Sequence, residues 1–469
     1  MINVSFRNEF SWALIVVMAG AVISLALSLQ AGLFFMFFAA AAWWTWEHPW
    51  DGFTFFIIIA PLLPMFKITQ TIGTVTLIKD VIILTLFAKL FLFPLLQKTL
   101  PYRRNMLFAP VVTLALWALF SLLRADSLLL GVLRARDIGL YALLYFAVLY
   151  LPRSTKRWRE TASWFAASVV VVLLLAIYQW FFAVDSAVLR FDPVRDIWIP
   201  RLSSIMAHPS IFGQYLVLAA LLGAAIAWHT RGRTRMTAAL LAAATVPFIF
   251  LTYSRGVWIG FILGIGAMAL VVLARAALNK VRGPQVWRWA GAGGAGLLVL
   301  LLLAIKLTPV GVYVRSALDP TYGSNEERIE FAARLIAPMA NVEALVGRGL
   351  GDVLVQNFRA VDLQAIDIAA GAAREVQLTK NATLVDNQWL KTFVEMGLAG
   401  LLIYGWMFWR VGKQAWQVTE ITGLWGLGFL AAFIIQGFFI DIWDIFPTNA
   451  AFWVVAAMVS GAGAVDAAK

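Results

Sequence analysis

The sequence contains no cysteine, which excludes disulfides, thiolate nucleophiles and cysteine-based metal sites. Histidine is almost as scarce, since His48, His208 and His229 are the three in 469 residues, and their separations do not match metal-ligand spacing. Charged residues make up only 13% of the chain, whereas 62% of the residues are hydrophobic. A soluble domain of this length needs far more polar surface, so the composition indicates a polytopic membrane protein.

Long apolar runs account for most of the chain. They lie at about 11–29, 31–46, 53–66, 78–96, 106–123, 138–151, 162–183, 211–228, 238–253, 257–274, 290–306, 388–409, 422–440 and 449–464. Most approach the roughly 20 residues that a helix needs to cross a bilayer core. The run at 53–66 holds Pro61 and Pro64 and is expected to be a broken helix. The predicted fold is therefore an all-α polytopic membrane protein with about 12–14 transmembrane helices.

One long polar stretch, from about 308 to 386, interrupts the apolar runs and carries most of the charges that lie outside short loops. We therefore divide the chain into a transmembrane bundle at 1–306, a loop domain at 307–386 and C-terminal transmembrane helices at 387–469. A protein that keeps one long charged loop against an apolar body is expected to place its chemistry where the two meet.

Short helices are predicted within this loop domain. The segment 324–327 has the S-x-x-E pattern of a capping box, which predicts a helix beginning near Asn325. Pro338 and the glycines of 347–351 predict the end of that helix and a turn. The alanine-rich segment 363–375 predicts a second helix.

Basic residues in the short loops predict which way the chain faces. The clusters at 98–104, 153–159, 231–235, 275–288 and 410–413 all fall on one face when the spans alternate. The positive-inside rule assigns that face to the cytoplasm. The formal charge of +12 then reflects orientation in the bilayer rather than affinity for nucleic acid. The long loop, the 184–209 loop and the corner at 253–256 are predicted to lie outside, and both termini inside.

Several arginines fall on the predicted outer face against this rule: Arg190, Arg195, Arg201, Arg255 and Arg328. Arg255 joins two apolar spans at a tight Ser-Arg-Gly corner. A charge at membrane depth costs about 2.5–3.5 kcal/mol on insertion scales, so it usually has a partner or a task. One interpretation is a structural arginine paired with a carboxylate such as Asp441. The other is phosphate binding, because a guanidinium forks onto phosphate oxygens, as a lipid-linked pyrophosphate would require.

Acidic residues lie at the boundaries of the spans. Asp386 directly precedes a span, where it is either the N-cap of that helix or a functional carboxylate. Glu395, about two turns deeper, is expected to be a buried structural hydrogen-bonding group. Asp441 and Asp444 flank the outer end of the following span and are expected to contact a sugar or an arginine. The sequence His208-Pro209-Ser210 predicts a helix start and does not identify a base.

Taken together, these stretches resemble the O-antigen ligase and polymerase superfamily, the Wzy_C-type membrane glycosyltransferases. The matching features, in chain order, are Arg201-Leu202-Ser203-Ser204, His208-Pro209-Ser210, Leu251-Thr252-Tyr253-Ser254-Arg255-Gly256, Glu327-Arg328, the 347–351 turn, Asp386-Asn387-Gln388-Trp389-Leu390 and Glu395-Met396-Gly397-Leu398-Ala399-Gly400. Each motif is short and weak alone, whereas the ordered set over about 201–400 is more specific. The N-terminal half matches only as a bundle of spans.

The resemblance implies a GT-C-type helical fold on the outer face of the bacterial plasma (inner) membrane. It implies transfer of a glycan from an undecaprenyl-pyrophosphate carrier to a glycan or lipid-linked acceptor hydroxyl, without metal or other cofactor. It also implies catalytic roles for Arg255, Arg328 and Asp386. We add as candidate substrate-binding residues those that lie in the motifs or on the predicted outer face: Arg195, Arg201, His208, Arg348, Asn387 and Asp441.

The residue before Asn387 distinguishes two activities within this resemblance. Ligases resemble one another in having histidine there, whereas this chain has Asp386. The departure favours a polymerase of O-antigen or exopolysaccharide over a ligase that transfers to a lipid A core, which stays open as the alternative. Ser210, where asparagine is commoner after His-Pro, is a smaller departure.

A flippase or transporter of lipid-linked glycans is the competing class. Transporters usually place charged or broken helices at the membrane midplane and have pseudo-symmetric halves. Here the polar residues gather at one face and in one loop, which favours an enzyme. The chemistry agrees, because arginines can stabilise a leaving pyrophosphate and Asp386 can accept a hydroxyl proton in an inverting displacement.

The predicted sidedness can be tested with single cysteines placed in this cysteine-free chain. An impermeant thiol reagent is expected to label position 364, in the long loop, in intact cells and to leave position 282 unlabelled until the cells are opened. Labelling of position 282 but not of position 364 in intact cells would contradict the topology and the mechanism that depends on it.

Overall fold

The computed structural model describes residues 16–24, 28–64, 73–101, 105–184, 188–192, 197–206, 208–278, 323–353 and 387–466. Helices dominate these ranges, beginning with a helical stretch at 16–24. The first half continues with α1 (Leu29–Glu47), α2 (Pro49–Ile59), α3 (Ile78–Phe87), α4 (Phe93–Leu96), α5 (Phe108–Leu123), α6 (Leu128–Tyr150) and α7 (Thr155–Phe182). The second half has α8 (Pro209–His229), α9 (Gly232–Leu251), α10 (Arg255–Leu278), α11 (Gly323–Ile336), α12 (Asn341–Val346), α13 (Gln388–Gln417), α14 (Ile421–Gln436) and α15 (Thr448–Asp466).

The predicted all-α polytopic membrane fold is confirmed. In the described part of the chain, six helices are long and apolar enough to cross a membrane: α1, α7, α8, α9, α10 and α13. Shorter apolar helices include α2, α5, α14 and most of α15. Helix α2 ends at Ile59, two residues before Pro61, which confirms the expected break in that run. The predicted span at 290–306 and the predicted helix at 363–375 lie outside the described residues.

A β-hairpin within the 184–209 loop adds an element that the sequence analysis did not anticipate. Strands β1 (Val188–Asp192) and β2 (Ile197–Arg201) pair antiparallel, with Val188 opposite Arg201. The hairpin ends at the corner between α9 and α10, because the Leu202 amide donates to the Leu251 carbonyl at 3.1 Å.

The chain divides into two compact units. The first comprises residues 1–102, 143–172 and 205–207, and within it the Trp50 indole N–H donates to the Pro152 carbonyl at 3.0 Å and the Thr54 and Thr161 hydroxyls lie 2.8 Å apart. The second comprises residues 103–142, 173–204 and 208–469, and contains the described part of every motif named above.

Helix α13 is broken at Gly397, and the break shapes the second unit. Gly397 has φ 68° and ψ −170°, which interrupts the helical hydrogen-bond ladder. The carbonyls just before the break accept bonds from elsewhere: Val394 from the Arg348 amide at 2.8 Å, Glu395 from the Gly349 amide at 3.2 Å and Met396 from the Trp117 indole at 2.9 Å. The predicted 347–351 turn is therefore present, and it supplies backbone donors to the broken helix.

Helix α11 and the residues after the 347–351 turn contact α13 through a small apolar core. Leu335 of α11, Val353 and Val394 are buried together, with Met339 and Leu390 packed against them. Helix α11 begins at Gly323, close to the predicted start, and ends at Ile336, before Pro338. The loop helix that carries Arg328 is thus packed on the first turns of α13.

Two glycines of α13 provide a matched test of this break. An alanine at Gly397 would need a positive φ, costing about 1–2 kcal/mol, and its Cβ would lie 2.3 Å from the Leu345 carbonyl oxygen. We expect Gly397→Ala to lower the free energy of unfolding by at least that amount, measured by thermal or denaturant unfolding in detergent. A Cβ at Gly405 would meet nothing within 4 Å, so Gly405→Ala serves as the control and should leave stability unchanged or raised. Equal stability of the two variants would contradict this account.

Candidate functional site

The start of α13 is capped by Asn387. Its side-chain oxygen accepts from the backbone amides of Trp389 at 3.1 Å and Leu390 at 3.0 Å, and its backbone is extended. The interpretation of Asp386 as the N-cap is therefore wrong, because the next residue occupies that position. Asp386 itself lies outside the described residues. Asn387, a candidate binding residue, has a structural task of its own.

Buried charges lie one to two turns further along α13. Arg134 of α6 donates from Nε to Glu395 Oε2 at 2.8 Å, and both Arg134 and Lys391 pair with Asp444. Lys391 Nζ also lies 3.5 Å from Asp441 Oδ2. Glu395 is completely buried and accepts from the Gly351 amide at 3.2 Å, so its expected structural hydrogen-bonding role is confirmed. Removing one member of a buried pair typically costs about 3–5 kcal/mol, because its partner is left buried and uncompensated.

Asp441, a candidate binding residue, belongs to this group through Lys391. It lies in the 437–447 loop between α14 and α15. Burial raises the pKa of Asp441, and the positive charges of Lys391 and Arg134 oppose that rise. The sequence analysis missed Arg134 and Lys391. A signal was present only for Lys391, a basic residue inside the predicted span at 388–409, whereas Arg134 lies between the predicted spans at 106–123 and 138–151.

The corner between α9 and α10 brings two of the outer arginines together. Arg201 Nε donates to the Thr252 carbonyl at 2.9 Å. Arg255 follows Thr252 by three residues and is the first residue of α10. The exposed fractions of Arg201 and Arg255 are 9% and 8%. The turn is tight, with a positive φ of 47° at Tyr253, and it is held by contact of the Ser254 and Ser210 hydroxyls at 3.0 Å.

Glycine packing sets this corner against the 437–447 loop. A Cβ at Gly256 would lie 2.4 Å from Phe439 Cβ, so only glycine permits the approach. One turn along α10, a Cβ at Gly260 would lie 2.7 Å from Gln436 Cγ. The loop that carries Asp441 therefore adjoins the corner that carries Arg255.

Arg328 is placed by its helix. It lies seven residues, about two helical turns, before Leu335, which packs against the start of α13. Its side chain is outside the described part of the chain. Arg195 is also outside the described residues.

Two further candidates have structural contacts. Arg348 lies 3.5 Å from Glu343 Oε2 through Nε and 3.7 Å from Asp352 Oδ2 through Nη1, in the turn that docks on α13. His208 is the N-cap of α8, where Nδ1 accepts from the Ser210 amide at 3.2 Å, and the predicted helix start is confirmed. Burial of the imidazole and the charge of Arg201 lower the pKa of His208 to about 4, although part of the residue stays exposed. The ring is therefore neutral at pH 7, as its acceptor role requires.

Residues 240–405 match the Wzy_C family model, described as O-Antigen ligase. This range covers about a third of the chain and includes the Arg255 corner, α11, the 347–351 turn and the broken part of α13. The match confirms the resemblance to the O-antigen ligase and polymerase family. It supports a multi-pass membrane protein with a glycosyltransferase-like activity. No curated protein sequence matches the chain.

The corrected cap leads to a prediction about two neighbouring residues. We expect Asn387→Ala to lower the free energy of unfolding by about 1 kcal/mol, because two amides of α13 lose their acceptor, whereas Asn387→Asp should keep nearly all of it. Asp386→Ala is the matched control and should leave unfolding in detergent unchanged. A loss of stability at Asp386 that equals the loss at Asn387 would restore Asp386 as a capping residue.

Proposed function

We propose that this protein is a membrane glycosyltransferase that moves a glycan from an undecaprenyl-pyrophosphate carrier to an acceptor hydroxyl. The reaction proceeds with inversion and needs no metal or other cofactor. It takes place on the extracytoplasmic face of the bacterial plasma membrane. The product is an O-antigen or exopolysaccharide chain, so the enzyme is a polymerase rather than a ligase acting on a lipid A core.

The observation that carries this proposal is the meeting of three elements in the second unit. The Arg255 corner adjoins the 437–447 loop through Gly256 and Phe439. The same loop contacts the first turns of α13, since the Gln388 amide donates to the Gly437 carbonyl at 2.7 Å. Helix α11, with Arg328, packs on those turns from the long loop. The elements that carry Arg255 and Arg328 thus meet at the start of α13, which Asp386 directly precedes in the sequence.

The arginines supply what the leaving group needs. Departure of the carrier places additional negative charge on the pyrophosphate, and preorganised cations stabilise that charge most effectively where water is excluded. Arg255 is nine-tenths buried, so its charge is little screened by solvent. A guanidinium binds phosphate oxygens with two parallel hydrogen bonds, which lysine cannot reproduce.

Asp386 supplies the base. Because Asn387 caps α13, the carboxylate of Asp386 is not required for the helix end. It accepts the proton of the acceptor hydroxyl, or orients that hydroxyl, as the oxygen attacks the anomeric carbon and the carbon–phosphate oxygen bond breaks. The long loop covers the reacting groups and holds the acceptor.

Variants at Asp386 test the base. We expect Asp386→Asn to be as inactive as Asp386→Ala, because an amide cannot take the proton, and Asp386→His to be partly active. Reference pKa values are about 3.9 for aspartate and about 6.5 for histidine, so the acidic limb of the pH–rate profile should move upward in the histidine variant. The measurement is turnover of carrier-linked glycan by purified protein in detergent. An active asparagine variant across the pH range would mean that the base lies elsewhere.

The same assay carries the controls for the arginines and for the class of protein. Arg255→Ala and Arg328→Ala should each lower turnover by more than about tenfold, with partial recovery by lysine. Arg334→Ala is the matched control, since Arg334 lies on the same helix as Arg328, is exposed and pairs with Glu330. A product ladder identifies a polymerase, and one added block identifies a ligase. Protein that binds the carrier-linked glycan without turnover would favour a flippase.

A further inference from the structure

We propose that Lys391 and Arg134 are positioning residues of this transfer reaction. By pairing with Asp444 and Asp441, they hold the 437–447 loop between the Arg255 corner and the start of α13. The inference rests on the proposed function and adds two residues to which neither the family match nor the sequence motifs give a role.

The loop is attached to α13 by hydrogen bonds at two points. The Gln388 amide donates to the Gly437 carbonyl at 2.7 Å, and the Gln388 side-chain oxygen accepts from the Trp443 amide at 3.0 Å. Trp389 adds a bond from its indole N–H to the Ile434 carbonyl at 3.0 Å. The two residues that follow Asn387 therefore set where the loop begins and where it turns back.

The opposite side of the loop touches α10. Phe439 fills the space that the missing side chain of Gly256 leaves, next to Arg255. A shift of the loop relative to α13 consequently moves the surface against which the Arg255 corner is packed. The loop thus lies between the start of α10, which carries Arg255, and the start of α13.

Buried ion pairs hold the middle of the loop, at Asp441 and Asp444, in position. Lys391, at 2% exposure, pairs with both Asp441 and Asp444. Arg134, at 4% exposure, pairs with Asp444 and also with Glu395, which in turn accepts from the Gly351 amide. One network therefore ties α6, α13, the loop and the 347–351 turn together.

Stability alone does not require such a network. Buried ion pairs are often replaced by apolar residues of similar volume without loss of stability, because desolvation opposes their attraction. The loop also has an apolar anchor of its own, since the Trp443 ring packs 5.1 Å from Phe433 and 5.0 Å from Phe452 between centroids. What the charges add is a defined position, which matters for catalysis because a misplacement of about 1 Å can lower a rate about 10²-fold.

Neither residue is assigned a chemical step. The Lys391 amide donates to the Asn387 carbonyl at 3.1 Å, which places Lys391 one full turn beyond the cap. A positioning role therefore predicts a loss in turnover number without a change in the protonation behaviour of the base.

The test is the double variant Lys391→Met/Asp444→Asn, which removes one positive and one negative charge, so that the net charge of the network is unchanged and Arg134 keeps its pair with Glu395. With the Trp443 anchor intact, we expect folded protein and faster amide hydrogen exchange in the 437–447 peptide. The value of kcat should fall by at least about tenfold, while KM for the carrier-linked donor stays within about threefold and the acidic limb of the pH–rate profile does not move. The single variant Lys391→Arg should keep most of kcat, because it retains the positive charge that pairs with Asp441 and Asp444 of the loop.

The matched control is Lys79→Met/Asp80→Asn, which removes a mostly buried ion pair of 2.6 Å in the first unit and should alter neither loop exchange nor kcat. Unchanged exchange in the 437–447 peptide, or faster exchange with normal kcat, would overturn the positioning role. A moved acidic limb would also overturn it, because Lys391 or Asp444 would then take part in proton transfer. Absence of turnover in the unaltered protein would instead refute the proposed function, so the two failures are distinguishable.

Discussion

The break in α13 at Gly397 is the constraint on which the second unit depends. A carbonyl that loses its helical partner inside a membrane costs several kcal/mol unless another donor reaches it. Here the donors come from the 347–351 turn and from Trp117, so the break and the turn require each other. Gly347 shows how close the approach is, since a Cβ there would lie 2.3 Å from the Glu395 carbonyl oxygen. The 347–351 turn of the long loop is consequently attached to α13 by backbone hydrogen bonds.

Glu395 extends this constraint from the backbone to the charges. Its carbonyl accepts from the Gly349 amide, while its carboxylate accepts from the Gly351 amide and from Arg134. A buried glutamate that accepts three such bonds, two on its carboxylate and one on its backbone carbonyl, from two other elements has little freedom to move. Arg134 then reaches the 437–447 loop through Asp444. The broken helix, the turn and the loop thus form one connected polar group within an apolar unit.

The spans were predictable from the sequence because hydrophobic length alone selects helices in a bilayer. The helix near Asn325 and the start of α8 were also predictable, since caps and prolines act locally. The cap of α13 was assigned one residue too early because Asp386 and Asn387 are both good caps, and only backbone geometry separates them. The ion pairs of Lys391 were not predicted, because its partners lie 50 and 53 residues away along the chain and a local sequence pattern does not identify such partners.

The position of Arg255 is unusual for a cation, and it bears on the proposed binding of a pyrophosphate. A helix carries partial positive charge at its N-terminus, so a cation is disfavoured there, and Arg255 is the first residue of α10. Arg201, bonded to the Thr252 carbonyl, adds a second positive charge at the same corner. Burial to 8% exposure removes most of the solvent that would screen these charges. The corner therefore combines a helix N-terminus with two arginines, an arrangement that is compatible with the pyrophosphate binding proposed above.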